Sequence, residues 1–281
     1  MTRAQLYALI VTAGILVLFA GGGGRRFVGG PGGVVTERHE GMLGGAQLLR
    51  AHISQGAGTL RIQTADTETA YLAALTHDRR DRIDVMYRSG ELRIAEAGRR
   101  IPGRMTNEWD ITLSRRIPVN LRISTGAGRA SVDLSGLRGE IDVRAGAGEV
   151  LVSFGEGDAA VEELGMHAGA GRFVATGLGF ARARKIEARA GVGELQLDFS
   201  GPGRDLTEVE ISGGVGRIIV TVPQDAGVRV RGRGSVTGRL TLPWFTQRGD
   251  DEHVNASWET APVRIDIQAR LGVGGLEVLG R

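Results

Sequence analysis

The sequence contains no cysteine, which excludes disulfide bonds, thiolate metal ligands and a cysteine nucleophile. Aromatic residues make up only 5% of the chain, prolines number 7, and Lys185 is the one lysine. No stretch combines clustered basic residues with aromatic residues, as a nucleic-acid-binding face would. We therefore expect packing and strand pairing to stabilise the protein, and we expect no nucleic-acid partner.

Glycine, in contrast, is abundant, with 46 of the 281 residues against a usual share of about 7%. The glycines do not recur at every third position, which excludes a collagen-like chain. Valine, isoleucine and leucine alternate with polar residues beside them, which a disordered linker would not show. The glycines therefore belong to a folded architecture with many turns of the backbone.

The N-terminus carries the longest uncharged run. Behind a short tail at residues 1–3, residues 4–24 contain no charged side chain, and about 21 residues at about 1.5 Å per residue can cross a bilayer as a helix. We predict a transmembrane anchor (or uncleaved signal) at residues 4–24; the alternative is a cleaved signal peptide. The glycine-rich residues 25–46 predict a flexible tether. We expect the protein to cross the membrane once and the domain that follows to be extracytoplasmic.

A Gly-x-Gly motif, where x is alanine or valine, recurs along the rest of the chain. The central copies are spaced by 20, 23, 22 and 23 residues. A fixed short period is typical of a solenoid, in which each repeat buries its apolar face against its neighbours. Copies begin at Gly56, Gly126, Gly146, Gly169, Gly191, Gly214 and Gly272.

Residues around each motif alternate as in a strand with one buried face. Leu195, Leu197 and Phe199, for example, alternate with polar residues. Glycine suits the sharp corner between two such stretches because it reaches positive φ without a steric penalty. We predict an all-β fold over residues 47–281: a single-stranded β-solenoid, resembling a β-helix, of about nine or ten coils of 20–23 residues. Residues 83–94 are interpreted as a worn coil, that is, a degenerate copy of the repeat, and residues 231–234 as part of a further coil.

Sites for ions, nucleotides or catalysis have little support in the sequence. Each Gly-x-Gly is followed by a strand pattern, whereas phosphate-binding loops lead into a helix. Calcium-binding repeats need an aspartate two residues after the last glycine, and apolar residues stand there instead. The five histidines have no metal-ligand spacing and form no recognisable catalytic pattern. We predict no enzyme activity, no catalytic residue, no metal site and no cofactor.

One segment, residues 242–262, interrupts the repeats with two tryptophans and several acids. We expect it to protrude as a loop, and exposed aromatics beside charges are typical of interface anchors. The alternative is that its aromatics cap the open end of the hydrophobic core. The candidate partner-binding residues are Trp244, Phe245, Arg248 and Trp258.

The repeats resemble the toastrack domains, which include the C-terminal part of LiaF-like cell-wall-active antibiotic response proteins and adhesin-like β-solenoids. The similarity lies in residues 54–62, in residues 109–113 leading to the Gly126 corner, and in residues 190–201 and 213–223. It covers residue 47 to the end. The resemblance implies a non-enzymatic module of the cell envelope, often associated with membrane segments and envelope-stress sensing. The chain departs from the LiaF-like pattern in having one apolar segment.

Together these features predict a membrane-anchored, non-catalytic envelope protein that binds a protein or a cell-wall glycan, with a role in envelope-stress response implied by the resemblance. One alternative is a structural protein whose solenoids stack end to end into a homo-oligomer, filament or surface layer, because terminal coils expose strand edges. A second alternative is a glycan-active β-helix enzyme, which would need an acid cluster on one sheet.

Overall fold

The computed structural model describes residues 26–29, 33–97, 107–234 and 238–281. The predicted anchor at residues 4–24 lies outside these residues. In the part of the chain that is described, no helix is both long enough and apolar enough to span a bilayer.

Strands make up most of the described chain, which confirms the all-β prediction. One short helix, α1 (Leu178–Ala181), precedes β11. In chain order, the strands are β1 (Arg26–Gly29), β2 (Val34–Met42), β3 (Leu49–Ala65), β4 (Thr69–Asp78), β5 (Arg82–Arg88), β6 (Glu91–Ala97), β7 (Asn107–Ser114), β8 (Val119–Asp133), β9 (Arg138–Ser153), β10 (Ala160–Thr176), β11 (Lys185–Asp198), β12 (Thr207–Val222), β13 (Gly227–Gly234), β14 (Gly238–Thr241), β15 (Thr246–Gln247), β16 (Glu252–Val254) and β17 (Arg264–Gly280).

The long strands stack in parallel in the order β3, β8, β9, β10, β11, β12 and β17. Each contains one Gly-x-Gly motif, and the second glycines of neighbouring strands lie opposite each other. We call each such strand a rung, the part before the motif its first arm and the part after it its second arm. The repeat pattern therefore predicted the solenoid and its row of corners correctly.

The corner changes which side of the strand faces the core. In β8 the buried side chains include Leu121 and Ile123 before the corner, then Ala130 and Val132 after it. Uninterrupted alternation would turn one of the two arms outward. The switch from odd to even positions instead directs the apolar side chains of both arms into one continuous core.

Close stacking of the corners requires glycine at both ends of the motif. A Cβ on Gly148, whose φ is +119°, would lie 2.0 Å from the carbonyl oxygen of Gly128 in the neighbouring rung. A Cβ on Gly146 would lie 2.4 Å from the carbonyl oxygen of Gly126. Ala147 between them is exposed, so only the flanking positions exclude a side chain.

The N-terminal end of the stack is built differently from the repeats. β6 and β7 pair in parallel with the two arms of β3 and form a rung that is divided by residues 98–106. β5 pairs antiparallel with β6 through a turn at Ser89 and Gly90, which both have positive φ. The prediction of a worn coil at residues 83–94 is therefore wrong, because this turn reverses the chain.

β2 contradicts the flexible tether expected over residues 25–46. It pairs antiparallel with β4, which pairs antiparallel with β7, and β1 pairs with β2. Gly41 in β2 is tightly packed, since a Cβ there would lie 2.5 Å from Cδ1 of Tyr87. The glycine-rich composition was interpreted as flexibility, whereas Gly41 allows close packing against Tyr87. The folded part of the chain therefore begins before residue 47.

At the C-terminal end, the chain order and the spatial order differ. β13 and β14 form a final rung, and β17, which follows them in the chain, lies between this rung and β12. With the divided rung of β6 and β7, the described residues contain nine rungs, within the expected nine or ten.

Residues 242–262, which were expected to protrude, are instead tied to this last rung. β16 pairs antiparallel with β13, and β15 pairs with β16. The buried Asn255 side chain accepts a hydrogen bond from the Val228 amide at 2.8 Å and donates one to the Ala226 carbonyl at 2.7 Å. These bonds satisfy backbone groups that would otherwise be left unpaired at the end of the sheet.

We expect Gly148→Ala to lower the free energy of unfolding by at least about 2 kcal/mol, because it combines a strained φ with a clash against a backbone carbonyl. The matched control is Ala147→Val, since other corners carry valine at this exposed position, and it should change stability by less than about 0.5 kcal/mol. Urea unfolding of both variants measures the difference. Equal effects would contradict the role assigned to the corner.

Candidate ligand-binding groove

The outer face of the second arms carries charges that neutralise one another. Arg129 and Glu149 lie 3.0 Å apart, and Arg172 lies 3.8 Å from Glu149 and 3.3 Å from Glu194. These residues face each other on β8, β9, β10 and β11, so the sign of the charge alternates from strand to strand. Opposite charges placed across neighbouring strands are stabilising. This face, which we call the ion-pair ladder, therefore has a structural explanation.

The outer face of the first arms is shaped as a groove. A cavity of about 640 Å³ lies across β5, β6, β3 and β8 to β11. Half of its lining residues are charged and two are histidines, and none carries a hydroxyl or thiol group. We call this surface the outer groove.

One row of outward-facing positions runs along the floor of the outer groove. Strand register places its members directly opposite each other on successive strands. In the rungs with a glycine corner, the row is the position four residues before the first corner glycine. Its members are Arg93, His52, Arg122, Asp142, Gly165 and Glu187.

The end of the groove nearest β5 is basic. Arg93 and Arg122 flank His52 on the neighbouring strands, and Arg50 lies opposite Glu91 and Asn120 in the adjacent row. Burial lowers the pKa of His52, and the positive charges of Arg93 and Arg122 lower it further. Arg50 and Arg93 form no ion pair with any other described residue. We call Arg50, His52, Arg93 and Arg122 the basic end.

Asp142 organises the middle of the groove. Nε of Arg144 lies 3.1 Å from its Oδ1, and Nη2 of Arg144 lies 2.8 Å from its Oδ2. This bonding raises the pKa of Arg144. Nε2 of His167 lies 3.7 Å from Oδ1 of Asp142, and Nε of Arg122 lies 3.6 Å from Oδ2. Asp142 is therefore already occupied, chiefly by Arg144.

Gly165, which is itself buried under neighbouring side chains, leaves a notch beside Asp142 on the floor of the groove. A Cβ at this position would meet only side-chain atoms within ordinary or slightly tight distances: His167 Nε2 at 3.2 Å and Asp142 Oδ1 at 3.5 Å. Its backbone has no positive φ. Unlike the corner glycines, it is not required by the stacking of the rungs, and glycine within a strand often marks a place where a ligand comes close.

On β9 and β10, two positions before Asp142 and Gly165, the groove becomes acidic. Glu140 and Glu163 lie opposite each other on β9 and β10 and are both exposed, whereas Glu187 forms an ion pair with Arg189. No group of three His, Asp or Glu side chains in the described ranges is placed to hold a metal ion. The outer groove thus offers cations on β6, β3 and β8 at its basic end, and carboxylates beside hydrogen-bonding groups on β9 and β10 at its acidic end, an arrangement suited to binding by charge.

The residues predicted from the sequence as a partner surface lie elsewhere, at the C-terminal end. Trp258 is only 9% exposed and packs under the guanidinium of Arg229, 4.6 Å from its ring centroid. Trp244 and Phe245 are partly buried against the core, with ring centroids 4.6 Å apart. Arg248 forms an ion pair with Glu259 and stays about half exposed. The aromatics therefore contribute to packing, and Arg248 is the accessible member.

The outer groove was not identified from the sequence. The signal that identifies it is the position four residues before each corner, which carries His52, Arg122, Asp142, Gly165 and Glu187 in successive rungs. Arg93 lies on a rung without a corner motif, and only strand pairing brings it beside His52.

Comparison with known proteins gives one family match. Residues 32–176 match the family model described as the N-terminal domain of toast_rack. None of the curated proteins compared with the chain matches it. A candidate cell adhesion protein from Clostridium sporogenes is similar in structure, with 20% identity and a TM-score of 0.46, over 88% of this chain and 99% of its own. A candidate adhesin from Bacteroides fragilis has 13% identity and a TM-score of 0.38, over 88% of this chain and 97% of its own.

We expect Trp258→Ala to lower the free energy of unfolding by about 3–5 kcal/mol, because it removes a large buried side chain. Arg248→Ala should cost less than about 1 kcal/mol, because its ion pair is exposed to solvent. Chemical unfolding measures both. Unchanged stability of the Trp258 variant would contradict its role in packing and favour the alternative of an exposed anchor.

The second expectation concerns His52. Because its pKa in the folded protein lies below the ordinary value of 6.5, the unfolded chain binds the proton more tightly, and the free energy of unfolding should fall as the pH decreases from about 6.5. Arg93→Gln should raise the pKa of His52 and make this fall shallower. Proton NMR titration of the imidazole measures the pKa. Arg129→Gln in the ion-pair ladder is the control, and an equal shift in that variant would refute the assignment.

Proposed function

The chain belongs to the toastrack family, whose N-terminal domain matches more than half of it, and from this premise we propose that it is a non-catalytic binding module that holds a partner in its outer groove. The observation that carries the proposal is the contrast between the two outer faces. The ion-pair ladder neutralises its own charges, whereas the outer groove presents free charges of both signs around a notch. Groups that folding leaves unneutralised are available to a ligand.

The proposal includes a location at the cell envelope. Residues 4–24 are uncharged and long enough to form a membrane anchor, and the described strands follow closely from Arg26. We place the solenoid outside the cytoplasm, where the groove would meet a surface protein or a cell-wall glycan. The proposal also includes a role of the protein in the response to envelope stress.

Catalysis is the weaker explanation of the groove. A glycan-cleaving carboxylic acid normally lies in a pocket that raises its pKa, paired with a second free carboxylate. Here Glu140 and Glu163 are exposed, Asp142 is held by Arg144, and Glu187 is held by Arg189. The acids are therefore placed for ion pairing more than for proton transfer.

Assembly end to end is also less well supported than binding through the groove. β5, whose one partner among the described strands is β6, carries Arg82, Asp84 and Arg88 on its outward side. Charged side chains on an edge strand discourage pairing with another sheet. At the other end, β14 has only four residues, and a short edge offers few hydrogen bonds to a second copy.

Filling the notch tests the function. We expect Gly165→Trp in the full-length protein to weaken binding to purified cell-wall sacculi, or to intact cells of the same species, by at least about tenfold. The ring would occupy the middle of the outer groove. Co-sedimentation and flow cytometry measure the two kinds of binding.

The control for this experiment places the same side chain on the other outer face. Leu151 is 38% exposed on the second arm of β9, and Leu151→Trp should leave binding within about twofold of the unmodified protein. Both variants must unfold at a similar urea concentration. Equal binding by the two variants would show that the partner does not use the groove.

A further inference from the structure

The basic end of the outer groove has an arrangement that the fold avoids on its other face. Arg93, His52 and Arg122 lie directly opposite one another on β6, β3 and β8, and neighbouring strands are about 4.8 Å apart. The two arginines destabilise a positive charge on the histidine between them, which contributes to its lowered pKa. In the ion-pair ladder the same spacing is filled with alternating signs. A bound anion would offset the positive charges of Arg93 and Arg122 on either side of His52.

The guanidinium groups at this end are free to bind. Arg50 and Arg93 are exposed, and neither forms an ion pair among the residues described. Arg122 makes one contact, at 3.6 Å, with an Asp142 carboxylate that Arg144 already engages. Guanidinium groups match planar carboxylate and tetrahedral phosphate oxygens in a bidentate manner. Two of them, those of Arg93 and Arg122, flank His52 on the neighbouring strands.

We infer that the basic end is an oxyanion-binding subsite, which takes a carboxylate or phosphate group of the partner between Arg50, Arg93 and Arg122 with His52 beneath it. This inference deepens the proposed function and depends on the groove being accessible. An anion at this position offsets the repulsion from the two flanking arginines, so His52 gains a proton and becomes a further hydrogen-bond donor. Binding is thus coupled to proton uptake by His52.

The acidic end limits what the rest of the ligand can be. Glu140 and Glu163 would repel an anionic polymer that continued along the groove. The ligand therefore carries its oxyanion at one end, followed by neutral or cationic groups that reach the carboxylates. This order of charges disfavours a nucleic-acid strand, whose phosphates repeat at every nucleotide.

The test uses small anions as probes, with the full-length protein in detergent micelles. Oxalate represents planar carboxylates and sulfate represents tetrahedral phosphate groups, and sodium chloride at equal ionic strength is the reference. We expect saturable binding of at least one anion and an upward shift of the His52 pKa, both followed by NMR. His52→Gln assigns the imidazole signal. The anion that binds more tightly indicates which group the partner carries.

Variants locate the subsite. Arg93→Gln and Arg50→Gln should each weaken anion binding by about tenfold, whereas Arg129→Gln in the ion-pair ladder should leave it unchanged. The inference fails if neither anion exceeds chloride, or if Arg129→Gln has the same effect as the groove variants. Each result is distinct from the Gly165→Trp experiment. If Gly165→Trp weakens binding to sacculi or cells but neither anion binds the unmodified protein, the groove is retained as the binding site and the oxyanion subsite is rejected. If an anion binds but Gly165→Trp leaves binding to sacculi or cells unchanged, only the subsite is retained.

Discussion

The close stacking of the Gly-x-Gly corners is the constraint on which the rest of the structure depends. Each corner leaves no room for a Cβ against the carbonyl of the preceding rung, as Gly148 shows against Gly128. Because the corner also exchanges odd for even positions, both arms of a rung face one core. The register that the glycines impose then determines which outward side chains lie opposite each other, and hence the composition of both outer faces.

Much of this fold could be predicted from the sequence, because the signals are local. Alternation around Leu195 and Leu197 predicted a half-buried strand, and the repeated glycines predicted a corner. The two ends could not be predicted in the same way. β2 reads as glycine-rich linker until its pairing with β4 is known, and the β5–β6 hairpin depends on a two-residue turn inside a repeat-like pattern. In both cases the structure depends on strand pairing that local sequence patterns do not reveal.

The outer groove illustrates a related limit. Arg93 and His52 are far apart in sequence and lie on strands of different kinds, so no motif connects them, and their meeting is visible only through strand register. The tryptophans, in contrast, were conspicuous in composition and therefore attracted a functional interpretation. Trp258 is buried beside Arg229, which shows that rarity of a residue type is a poor guide to exposure. The comparison of charges between the ion-pair ladder and the outer groove was a better guide to the candidate binding surface.

The insertion of β17 between β12 and the last rung has a consequence for biosynthesis. Rungs β8 to β12 can each dock on the preceding rung as they leave the ribosome, but β13 and β14 have no such neighbour until β17 is made. Contacts that close long stretches of chain form slowly. The final rung therefore has to wait for β17, which is synthesised after it and which joins it to β12.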